Sequence, residues 1–159
     1  MDHINGFKAA VAAVLGCLTA LWGWFGWLVV AWVLLMLSDW LIGSAAAAKD
    51  GRWSSAKMRE GAWHKGGMIL VVTVAAIADY MIAVIWPTLP IGVSFPWPGV
   101  IFPLVLAWYI ITEMGSILEN AIKMGANVPD WLAKMLKIGL TAVDNAGAAA
   151  ADTKKEEVE

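Results

Sequence analysis

An apolar run over residues 9–43, with no charge until Asp39, constrains this chain more than any other feature. As one helix it would be about 50 Å long at roughly 1.5 Å per residue. The hydrocarbon core of a bilayer is only about 30 Å thick. The run therefore exceeds one crossing and has to turn back or tilt steeply. The break falls at Trp22-Gly23-Trp24-Phe25-Gly26-Trp27, where two glycines loosen the helix and three tryptophans suit the headgroup boundary. Helices are predicted over 7–22 and 25–43. A secretory signal peptide is rejected, because its apolar region is only about 7–15 residues long. The first helix is short and either crosses or lies in the interface; the reading adopted here is a crossing.

Composition agrees. The chain of 159 residues is 60% hydrophobic and 15% charged, with a mean hydropathy of +0.70. Soluble domains are about 45–50% apolar and about 25% charged. A chain this short has too much surface to hide that excess inside, so lipid is its natural cover. Cys17 is the only cysteine, which rules out an intrachain disulfide and a cysteine-based metal site.

Residues 44–65 read as a polar loop holding Lys49, Arg52, Lys57, Arg59 and Lys65 against Asp50 and Glu60. A helix is predicted over 66–86, with Asp79 inside it. The uncharged stretch 87–99 carries Pro87, Pro90, Pro96 and Pro98 and reads as a hairpin connection. Another helix is predicted over 100–124, with Pro103 in its first turn, where a missing N–H is harmless. Residues 1–125 thus form a transmembrane helical domain.

Over 126–143, Val128, Trp131, Leu132, Met135, Leu136 and Val143 recur at helical spacing, with Asp130, Lys134 and Lys137 on the other face. This is an amphipathic helix that either lies in the membrane interface or packs on neighbouring helices. The tail 144–159 is alanine-rich and then highly charged, and is expected to be disordered. The fold class is an all-α integral membrane protein with three or four transmembrane helices plus a C-terminal amphipathic helix.

Orientation follows from charge. The five basic residues of 44–65 belong in the cytoplasm and the uncharged 87–99 outside. Lys123, Lys134 and Lys137 bring the end of the last span back inside. Four spans leave both termini cytoplasmic; three put the N-terminus outside.

Acidic residues at bilayer depth usually face protein or water. The candidates for polar helix contact or a pore lining are Asp39, Asp79, Glu113, Ser116, Glu119 and Asn120. Glu113, Ser116 and Asn120 fall on one helix face, and Glu119 stands one turn before Lys123, a spacing that allows a local ion pair. Ala12, Gly16 and Ala20 repeat every four residues, a pattern that lets helices approach closely within or between subunits. The basic residues Lys49, Arg52, Lys57, Arg59 and Lys65 fix topology and contact anionic lipid. His3 and His64 are the only histidines, and HExxH, a phosphate loop and GxSxG are all absent. No enzyme, cofactor, metal site or nucleic-acid partner is expected.

Three blocks resemble the phage lysis and toxin-secretion holins, the group that includes the clostridial toxin-export holin. Leu37-Ser38-Asp39-Trp40-Leu41-Ile42-Gly43 is similar to that family's aspartate–aromatic–leucine–x–glycine signature, with Trp40 where tyrosine is usual. Ser54-Ser55 through Gly61 and Lys65, leading to Asp79, is similar to its paired serines, basic segment and helix-borne aspartate. Glu113-Met114-Gly115-Ser116-Ile117-Leu118-Glu119-Asn120-Ala121, followed by Gly125 and Pro129, is the most specific block. The proline- and tryptophan-rich outer loop and the alanine-rich tail depart from the family pattern. The resemblance implies a homo-oligomer that permeabilises the bacterial cytoplasmic (inner) membrane and releases an endolysin or secreted cargo. It implies an antiholin as a further possible partner, and no catalytic residue. A small ion channel or transporter, and an antiholin-type regulatory partner, are the alternatives.

Overall fold

The fold was analysed in a computed structural model, which describes Gly6, Lys8, Ala9, Ala12, Ala13, Gly16 and residues 25–89 and 99–152. Gly6, Lys8, Ala9, Ala12, Ala13 and Gly16 are helical. The rest of the first predicted helix lies outside the described residues.

Helix α1 spans Phe25–Lys49, α2 Ser55–Ile85, α3 Ile101–Lys123 and α4 Asp130–Asp152; a 3-10 turn, Trp86–Thr88, extends α2. The first three are long and apolar enough to cross a membrane.

The stretch expected as a loop over 44–65 is mostly helical. Ala45–Ala48 is a run of the best helix former, and it carries α1 six residues past Gly43. The helix stops at Gly51, whose φ of 65° closes a left-handed cap. There the Arg52 N–H donates to Ala47 O and the Gly51 N–H to Ala48 O, at 2.9 and 3.1 Å. Ser54 then caps α2, its hydroxyl accepting from the Lys57 N–H. Lys57, Arg59 and Lys65 therefore stand on a helix. At 31 residues α2 is about 46 Å long, so its charged first turns project beyond the bilayer core.

The end of α3 repeats the Gly51 device: Gly125, at φ 98°, follows Met124, and the Ala126 N–H donates to Ala121 O. Past Pro129, α4 continues through residues 144–152, where a disordered tail was expected. Alanines at 146 and 148–151 favour helix, and packing against α3 supports it. Residues 153–159 lie outside the described residues.

α3 is the hub, packed on α1, α2 and α4. The buried core is small: Trp32 and Met36 of α1, Met68, Val72 and Ala75 of α2, and Phe102 and Leu106 of α3. Most apolar side chains face outward, among them Leu34, Leu41, Leu70, Val74 and Ile77, each more than half exposed. So broad an apolar exterior would drive aggregation in water and is satisfied by lipid. α4 runs antiparallel along α3. Ala133, Leu136 and Leu140 share a cleft with Ile111, Gly115 and Leu118, while Val143 and Gly147 lie by Leu104 and Trp108.

Candidate functional site: a buried ion network joining three helices

Each spanning helix contributes one charge to a shared network. Lys65 Nζ, at the head of the long apolar stretch of α2, donates to Asp39 Oδ2 of α1 at 2.8 Å. It also donates to both carboxylate oxygens of Glu113, at the middle of α3. Asn120 Nδ2, two turns further along α3, donates to Asp39 Oδ1 at 3.2 Å. The network is nearly dry: the side chains of Lys65, Asp39 and Glu113 are 16%, 13% and 3% exposed.

Burial of charges is tolerated only where geometry and extra hydrogen bonds compensate their lost hydration. Here one ammonium faces two carboxylates, which leaves a formal charge of −1, and Asn120 supplies a further donor to Asp39. Small residues allow the approach. A Cβ on Gly43 would lie 3.3 Å from Asn120 Nδ2, and one on Gly61 would lie 3.4 Å from Trp40 Cδ1. Trp40 Nε1 donates to Met58 O at 3.2 Å, tying α1 to the head of α2. A cleft of about 210 Å³, with Asp39, Ser44, Ser54, His64 and Asn120 among a largely apolar lining that includes Trp40 and Trp53, opens beside the network.

Asp79 does different work. Its carboxylate accepts from the Ile101 N–H at 3.1 Å and the Phe102 N–H at 2.7 Å, so α2 caps the N-terminus of α3. A negative charge suits that end of a helix dipole. Gly99, at φ 70°, brings the chain past the carboxylate.

The sequence-derived residues therefore separate. Asp39, Glu113 and Asn120 meet at the network. Asp79 is a helix cap. Ser116 and Glu119 turn away from it, toward α4. The local pair proposed for Glu119 and Lys123 does not form; Lys123 donates instead to Asn120 Oδ1 at 3.3 Å. Lys65, grouped by sequence with the topology residues, is the centre of the network. Lys49 donates to Met124 O at 2.7 Å and so closes the C-terminus of α3, Arg52 pairs with Asp50, and Lys57 and Arg59 are exposed. Ala12 and Gly16 are helical and exposed, and Ala20 lies outside the described residues. Among the described residues no group of three or more His, Cys, Asp or Glu side chains could hold a metal ion.

The chain is 28% identical to an uncharacterized protein of Halalkalibacterium halodurans over 138 residues, which is 87% of this chain and 95% of the relative. No solved structure matches it. The family model of the bacteriophage holin family matches residues 16–139, a range that contains α1–α3, the whole ion network and the first part of α4. On that match over most of its length, the chain belongs to the bacteriophage holin family.

Proposed function

We propose that the chain acts as a holin in the bacterial cytoplasmic (inner) membrane. Copies accumulate there, self-associate and open lesions through which a cytoplasmic endolysin or other protein cargo passes. The turn at Asp50–Ser54 and the exposed Lys57 and Arg59 face the cytoplasm, where they meet anionic headgroups. The observation that carries this reading is the family match across a three-helix unit whose Asp39, Lys65 and Glu113 are turned inward and whose exterior is broadly apolar. The work assigned to the polar contacts is assembly and rearrangement of helices.

The test is induced expression in a bacterium, with and without a co-expressed cytoplasmic endolysin, while membrane potential and turbidity are followed. Abrupt depolarisation, with lysis only when the endolysin is present, is the expected result. Normal potential and growth, with the chain confirmed in the membrane, would overturn autonomous hole formation and leave an antiholin-type role.

A further inference from the structure

We propose that α4 is the water-facing wall of the lesion, standing across the bilayer against α3 rather than lying on its surface. The inference rests on the permeabilising reading above.

The first observation is position. α4 follows α3 back along its length: a Cβ on Gly139 would lie 3.4 Å from Ile111 Cδ1, and Val143 and Gly147 reach the level of Leu104 and Trp108. Its 23 residues give about 34 Å, which matches a bilayer core of about 30 Å. The second is pattern. At roughly 100° per residue, Asp130, Lys134, Lys137, Thr141 and Asp144 fall within about a third of the circumference. Leu132, Leu136, Gly139 and Val143, all partly buried, form the face toward α3. Trp131, Met135, Ile138 and Ala142 form an exposed apolar third face. A helix resting on a membrane presents a broad polar face to water; α4 is less apolar than α1–α3, but most of its charges are gathered in one narrow stripe.

The third observation is what the stripe meets. Lys137 shares an open cleft of about 490 Å³ with Thr112, Ser116 and Glu119 of α3. Asp144 borders a second cleft, of about 270 Å³, beside Trp108. Charged side chains at that depth cannot face lipid and must meet water or one another. Copies arranged with their stripes inward give them water, and the polar edge of α3 joins the same wall. The cargo then passes a surface of mixed charge, with lysines and aspartates interleaved.

The decisive quantity is depth. Trp131, Ala142 and Ala149 share one face of α4 and differ only in position along it. In a Cys17→Ser background, Trp131→Cys, Ala142→Cys and Ala149→Cys each receive an environment-sensitive fluorophore. The full chain is reconstituted in phosphatidylethanolamine–phosphatidylglycerol vesicles loaded with a self-quenching dye. Lipids carrying quenchers near the headgroup or deep in the acyl chain read the depth of each label. Thr141→Cys, at mid-helix on the stripe, is probed with aqueous iodide. The expected result is dye release, deep quenching dominant at 142, headgroup quenching dominant at 131 and 149, and strong iodide quenching at 141. Equal shallow depth at all three positions, or a Thr141 label shielded from iodide, overturns the wall assignment while dye release leaves the permeabilising reading standing. Absence of dye release overturns both.

Discussion

Lys65 reaches across 48 residues of sequence to hold both oxygens of Glu113 while also holding Asp39, so one ammonium binds three helices. Removing it leaves two buried carboxylates with no cation. Breaking a buried pair in that way costs about 3–5 kcal/mol. Lys65→Met is therefore expected to destabilise the chain severely. Glu113→Gln leaves one ammonium opposite one carboxylate and should cost much less. Denaturant titration in detergent micelles, followed by circular dichroism, ranks the two. Equal stability of both variants would show that the network does not bind the helices.

Asp79→Ala removes the acceptor for two amides at the head of α3. The expected loss is about 0.5–2 kcal/mol, the range for a lost N-cap. Asp79→Asn keeps an acceptor oxygen and should recover part of it. The specific readout is amide hydrogen exchange at Ile101 and Phe102, which should quicken in both variants and more in Asp79→Ala. Unaltered exchange there would mean that the cap contributes nothing.

Much of this arrangement was legible beforehand, and for a physical reason. Apolar runs of span length have few alternatives, so α1, α2 and α3 were visible from hydropathy alone. Asp39, Asp79, Glu113 and Asn120 stood out because polar groups in such runs must find partners. The partners themselves were not legible, because they lie 22 to 81 residues away. Lys65 shows the difficulty: in sequence it ends a basic segment, and only the packing of α2 against α1 and α3 turns it inward. Its place at the first step of an uninterrupted apolar stretch was the available signal. The extra turns of α1 and α4 are harder to see, because their alanine runs sit beside charged residues and have the composition of loop and tail as well as of helix.

Gly43 and Asn120 should prove energetically coupled. A methyl group at 43 would crowd the Asn120 amide at 3.3 Å and disturb its donation to Asp39. Gly43→Ala is thus expected to cost about 0.5–1.5 kcal/mol, the net worth of one hydrogen bond. In an Asn120→Ala background the clash and the hydrogen bond are both gone, so the same substitution should be close to neutral. A double-mutant cycle measures the difference directly. Additive effects would show that the α1–α3 approach does not depend on this contact.

The network should also set the timing of permeabilisation. If lesion opening requires α1–α3 to part or slide, weakening their ionic bond lowers the barrier. Glu113→Gln leaves the Lys65 ammonium one neutral acceptor oxygen in place of an ionised carboxylate, a change of about 1 kcal/mol. If that loss falls mainly on the closed arrangement, opening should be about fivefold faster, since about 1.4 kcal/mol corresponds to tenfold. The expected outcome is earlier depolarisation in cells carrying equal membrane amounts of Glu113→Gln and unsubstituted chain. Glu119→Gln, which lies outside the network, controls for loss of a carboxylate elsewhere on α3 and should not advance the onset to the same degree. Identical onset for Glu113→Gln and the unsubstituted chain would confine the network to holding the resting fold and remove it from the opening step.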